Sequence, residues 1–171
     1  MKKVLVALSL LLLLTSPALA VDATRSGRTS ERLDQIQERK EEFRERLSQI
    51  RDEKKKQILE HISNQLNLIN DRATKAMLRH LERLQALLNK IKSRVPTVDT
   101  TAAQAKIDEA KAAVETQAAK EYVIEFSGES GLRVGASTAK QKLRADIKAV
   151  REKVRLARQA VVDVLKAAKS L

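Results

Sequence analysis

Apolar residues recur every three to four positions along most of this chain, the spacing that gathers them on one face of an α-helix. The cleanest run is Leu143, Ile147, Val150, Val154, Ala157, Val161, Val164, Ala168 and Leu171, in alternating steps of four and three. It predicts a helix over 137–170 with one continuous seam. Upstream, Ile58, Ile62, Leu66, Ile69 and Ala73 lead into a broader stripe of Met77, Leu81, Leu84, Leu87, Leu88, Ile91 and Val95. Together they predict a helix over 58–95 that stops at Pro96, because the residue before a proline is pushed out of the helical region. A third helix is expected over 100–124, with Asp99 or Thr100 as its cap and a seam of Ala103, Ile107, Ala110 and Val114.

The stretch before these helices is different. Leu33, Ile36, Phe43, Leu47 and Ile50 make a narrow stripe, with Lys40 in an apolar slot. Residues 30–60 carry nine acids and nine bases around it. Opposite charges four apart, such as Glu42 and Arg46, stabilise a solvated helix by only ~0.2–0.5 kcal/mol a pair. So narrow a stripe suits a coiled-coil seam. It predicts a helical arm over 30–57, capped by Thr29 or Ser30, and a possible homo-oligomer contact along Leu33–Ile50. The heptad slips between Lys54 and Ile58. Asn64, Asn67 and Asn70 follow, read as water-facing surface, with a hinge or a register-fixing buried Asn as the alternative.

The fold class is therefore all-α. The expected architecture is an up-down-up three-helix bundle over 58–171 (58–95, 100–124, 137–170) with an N-terminal helical, coiled-coil arm. Residues 21–29 read as a flexible lead. Residues 1–20 read as a secretory signal peptide: Lys2 and Lys3, an apolar run from Val4 to Leu14, a break at Pro17, and small residues for cleavage after Ala20. The mature chain is then exported to the periplasm, cell surface or medium, with no transmembrane span.

Composition fits this picture. The aromatic residues are Phe43, Tyr122 and Phe126, so the core must be built from aliphatic side chains. There is no cysteine, which excludes disulfides, thiolate nucleophiles and thiolate metal sites. His61 and His80 are 19 residues apart and read as solvated helix positions. Tyr122–Gly135 is the one irregular stretch, in which Val123, Ile124 and Phe126 are expected to plug a core end. It lacks the Gly-Lys-Ser/Thr ending of a phosphate loop, since Gly135 is followed by Ala136 and Ser137. No catalytic, cofactor-binding or metal residues are assigned, no cofactor is expected, and the chain reads as a non-enzyme.

The formal charge is +12. A basic protein attracts anionic partners, and on a helical protein the candidates are rows of Lys and Arg. Two rows stand out: Arg72, Lys75, Arg79 and Arg83, then Lys140, Lys142, Arg144, Lys148, Arg151, Arg155 and Arg158. The middle helix is net negative and is expected to lie between them. With so few aromatics to stack on bases, specific nucleic-acid binding is not expected.

The phrases His61-Ile-Ser-Asn-Gln-Leu, Val98-Asp99-Thr100, Ala105-Lys-Ile-Asp-Glu-Ala-Lys and Ala160-Val-Val-Asp-Val-Leu-Lys-Ala-Ala-Lys carry a resemblance. They resemble a group of uncharacterised secreted helical proteins of small-genome, uncultured bacteria, which implies export and helices but no activity. The chain is also similar to Skp-type periplasmic holdase chaperones in size, charge, leader and long helices, though without their strand-forming segments. The functional expectation is an envelope structural or interaction protein that holds an anionic polymer or protein. The alternative is a Skp-like holdase.

Overall fold

The computed structural model describes residues 18–170. Most of the expected leader, residues 1–17, lies outside the described residues, as does Leu171, the last member of the seam. Four α-helices follow in order: α1 (Ala18–Ser48), α2 (Glu53–Arg94), α3 (Thr101–Ala118) and α4 (Leu132–Ser170). A single 3-10 turn, Glu129–Gly131, precedes α4, and no strand occurs among the described residues. The chain divides into two compact units, Met1–Glu38 and Arg39–Leu171. In the first, the described residues are all helical, so the expected flexible lead at 21–29 is helix, and Thr29 and Ser30 stand inside α1. Gly27 is the one poor helix former there, and one glycine costs a helix only about 1 kcal/mol.

The second unit is a bundle in which α2, α3 and α4 each pack against the other two. α2 and α4 run parallel. The N-terminal part of each meets in one cluster, Leu59 and Leu66 with Leu132, Ala139, Leu143 and Ile147. Their C-terminal parts meet in another, Met77, Leu81, Leu84, Leu88 and Ile91 with Val150, Val154, Ala157, Val161 and Val164. α3 runs antiparallel to both and joins only this second cluster, through Ala103, Ile107, Ala110 and Val114. Asp99 accepts the Thr101 amide at 2.9 Å and so opens α3, while Thr100, at the cap position, makes no side-chain cap bond.

The arm is not a continuous helix. α1 ends at Ser48, and Asp52 restarts the helix by accepting the amides of Lys54 at 2.9 Å and Lys55 at 3.3 Å. These amides have no intrahelical partner, and a carboxylate there satisfies both. The break comes just before the heptad slip. It lets residues 39–50 fold back: Phe43, Leu47 and Ile50 are buried in the cluster around Leu59 and Leu143. Phe43 meets Phe126 edge to face, with ring centroids 6.2 Å apart. Lys40, in its apolar slot, reaches Glu121 at 2.6 Å. Much of the Leu33–Ile50 seam is thus used within the chain: Phe43, Leu47 and Ile50 are buried, and Leu33 is exposed.

α3 stops at Ala118 rather than near 124, and α4 starts at Leu132 rather than Ser137. Between them residues 119–128 run without helix. Tyr122, Ile124 and Phe126 are buried while Glu125 is exposed and Val123 half-buried, the alternation of an extended strand. This segment takes over the third position of the bundle where α3 leaves it. Gly128 turns the chain out of it at φ 66°, a region L side chains avoid. Gly135 lies inside α4 because a Cβ there would meet the Glu125 carbonyl oxygen at 2.1 Å.

Candidate functional site

The non-helical segment decides which side of α2 is buried. Its backbone groups lack helical partners and must bond elsewhere. α2 supplies them. Asn67 accepts the Tyr122 amide at 2.8 Å and donates to the Tyr122 carbonyl at 3.3 Å. Asn70 donates to the carbonyls of Gln117 at 3.0 Å and Lys120 at 3.1 Å. The Ser63 hydroxyl donates to Tyr122 O at 3.4 Å. The inward row of this half of α2 is therefore Leu59, Ser63, Leu66, Asn70 and Thr74. The expected row shares only Leu66 with it. Ile58 and Ile69, expected inside, are exposed, and Asn70, expected at the surface, is buried. Asn64 alone of the three asparagines is fully at the surface.

A polar chain continues from Asn70 to α4. Gln117 donates to Asn70 Oδ1 at 2.9 Å and to the Tyr122 hydroxyl, which donates to Asp146 at 2.7 Å. Lys120 pairs with the same carboxylate at 3.0 Å. Burial and the Asp146 charge push the Tyr122 phenol well above its ordinary value. Burial works against charge on Asp146, but the Tyr122 and Lys120 bonds outweigh it and hold the carboxyl below its usual range. The side-chain amide hydrogens of Asn70 and Gln117 and the Tyr122 hydroxyl hydrogen each have an acceptor, while Gln117 Oε1 is buried without a donor. The network holds the segment in place.

The basic candidates form a clearer surface. All eleven are exposed. Two marks orient the helices: Gln85 of α2 bonds Gln104 at 2.7 Å, and Lys153 of α4 bonds Glu109 at 2.8 Å, so each marks the flank facing α3. At about 100° per residue, Arg72, Arg79 and Arg83 then lie on the outer side of α2, away from α3. Lys140, Arg144, Lys148, Arg151, Arg155 and Arg158 lie on the flank of α4 that borders α2. The structure brings these nine residues onto one face made by two parallel helices. It separates two others. Lys75 sits toward the α3 side and pairs with Asp71 at 2.9 Å, and Lys142 lies on the opposite flank of α4, near Asp146.

The acids avoid this face. Glu53, Glu60, Asp71 and Glu82 of α2, and Asp146 of α4, all fall on the flanks turned toward α3. Glu152 and Asp163 stand at its rim, where they pair with Arg155 at 2.6 Å and Lys166 at 3.6 Å. Among the described residues, Arg72, Arg79, Arg83, Lys140, Arg144, Lys148, Arg151 and Arg158 form no ion pair. α3 has the opposite character: Glu109 takes both Lys106 and Lys153 at 2.8–2.9 Å, and they hold its carboxyl down to about 2. Lys90, Arg94 and Arg133 extend the basic face beyond the candidate set. Arg133 precedes the helix expected from Ser137, so its phase could not be read from the seam.

The described clefts lie on other sides of the molecule. One of about 350 Å³ runs between α2 and α3 past Gln85, Ile107 and Lys111. Another opens by Arg46, Phe126 and Lys142. Among the described residues no group of His, Asp and Glu is placed to hold a metal ion. No helix there is long and apolar enough to cross a membrane. The fold and surface define an all-helical bundle with one basic face. Comparison with protein-family models, with curated proteins and with solved structures finds no match to this chain.

Proposed function

We propose that this chain is a non-enzymatic interaction protein that holds an anionic partner on the α2/α4 face. The reading includes export to the periplasm, cell surface or medium, and what supports that part is the leader-like pattern of residues 1–20. The observation that carries the reading is the sorting of charge. Two adjacent helices turn most of their bases to one side and keep their acids at its rim or on the flanks toward α3, whereas charge kept only for solubility has no reason to segregate. Unpaired guanidinium groups in two parallel rows reinforce one another within a Debye length of about 8 Å at physiological salt. The holdase alternative needs the Leu33–Ile50 stripe free to grip clients, and Phe43, Leu47 and Ile50 are buried.

The test is binding of the full chain to polyphosphate as salt rises. Affinity should fall steeply with salt, with a log–log slope near one per phosphate neutralised. Reversing Arg72, Arg79, Arg144 and Arg151 to Glu should weaken binding by about a hundredfold or more, since phosphate contacts dominate such affinity. Reversing Lys75 and Lys111, which lie off the face, should change it little. Equal losses from both sets would mean that net charge matters and the face does not.

A further inference from the structure

The α2/α4 face is not purely basic. Ile58, Ile69 and Leu87 lie in its α2 half with 57%, 48% and 38% of their surface exposed. They stand between the outward arginines, on the same acid-free side, and Ile62 beside them is half-buried. The exposure of the two isoleucines follows from the packing: Ser63, Asn67 and Asn70 bond the segment and the end of α3, and this turns the neighbouring isoleucines out. From the basic-face reading above, we propose that the occupant of this face is an anionic lipid surface. Isoleucine and leucine would enter the headgroup boundary while the two arginine rows meet lipid phosphates.

Two features favour lipid over a dissolved polyanion. A soluble polyanion gains nothing by covering isoleucine, whereas the interface of an anionic bilayer rewards apolar burial and positive charge together. The face is also built from two parallel helices side by side, a broad surface suited to a plane. Arginine and lysine stems at its edges can lie along the surface with their charges at the phosphates.

The experiment uses the full chain. The probes are vesicles of equal parts phosphatidylglycerol and phosphatidylcholine, vesicles of phosphatidylcholine alone, and soluble polyphosphate. The apolar leader run is common to every variant, so variants are compared with one another on each probe. The triple variant I58S/I69S/L87S should bind the mixed vesicles about tenfold more weakly, in line with lost apolar insertion. Its binding to polyphosphate should be unchanged, and a helical circular-dichroism signal and unfolding midpoint like the parent's show that it folds. The charge-reversed variant R72E/R79E/R144E/R151E should lose both probes. If the triple variant binds mixed vesicles like the parent, or the parent binds polyphosphate but shows no preference for mixed vesicles, the lipid proposal falls and the basic-face reading stands. If charge reversal weakens neither probe, both fall.

Discussion

From Met77 to Ile91, α2 meets α3 and α4; from Leu59 to Thr74, it shares a cluster with α4, the folded-back residues 43–50 and a length of non-helical chain. The first stretch buries Met, Leu and Ile against Ala and Val of α3 and α4. The second buries Ser63, Asn70 and Thr74 beside Leu59 and Leu66, and its surroundings hold all the aromatic rings of the chain. A helical neighbour has satisfied its own backbone and asks only for apolar contact. A non-helical neighbour brings unpaired amides and carbonyls and selects polar side chains opposite them. One helix thus carries two burial codes, and the change between them falls where α3 ends.

The largest effect expected is from Leu88→Ala, at 1% exposure deep in the aliphatic half. It should cost about 3–4 kcal/mol in chemical unfolding, since large-to-small core changes leave a cavity. Gly135→Ala strikes the other half, forcing the Glu125 carbonyl off α4, and should cost about 3 kcal/mol. Asn70→Ala strands the Lys120 carbonyl and takes an acceptor from the Gln117 side-chain amide, for about 2 kcal/mol. By hydrogen exchange, it should speed the amides of Tyr122 and Ile124 while those of Ala110 and Val114 keep their protection. Equal acceleration in both halves would break the distinction between them.

Tyr122 sharpens the comparison without a mutation, because it is the sole tyrosine. An ordinary phenol ionises near pH 10. The folded value is higher, so the stability tied to neutral Tyr122 is complete below about pH 10 and is lost as pH rises toward it. Tyrosinate absorbance should therefore appear only as the segment opens, not as a free titration at pH 10. The smallest effect lies on the aliphatic half. Glu109 is exposed, and its lowered carboxyl contributes stability above about pH 4.5 that fades as pH falls toward 2. Glu109→Gln should flatten that slope slightly in acid unfolding.

The sequence pattern foretold the aliphatic half closely. Each seam residue of α4 from Leu143 to Val164 is buried, as are Met77, Leu81, Leu84, Leu88 and Ile91, while Leu87 of the same stripe is exposed and Val95 half-buried. Helix on helix obeys the periodic rule on which the reading rests. It fails from Ile58 to Ala73, where the apolar spacing predicts one inward row and the observed row is partly polar. Nothing in the local pattern of α2 reveals that its partner is non-helical. The alternation of Tyr122, Ile124 and Phe126 was the available signal, and it sits fifty residues away. The basic residues were legible one by one. Their shared face was not, because it depends on α2 and α4 running parallel.

The segment after α3 also settles a matter of length. At about 1.5 Å per helical residue, α4 is roughly 58 Å long and α3 only about 27 Å. The extended stretch Tyr122–Phe126 reaches roughly 16 Å at ~3.3 Å each, so residues 119–128 recover much of the difference with few amino acids. That economy removes tolerance. Deleting one residue from a helix turns its face by about 100°; deleting one here exchanges inside for outside, sending Tyr122, Ile124 and Phe126 toward water and Val123 and Glu125 toward the core. Natural variation in chain length should therefore collect at Glu129–Gly131 or around Pro96, and spare the strand-like stretch.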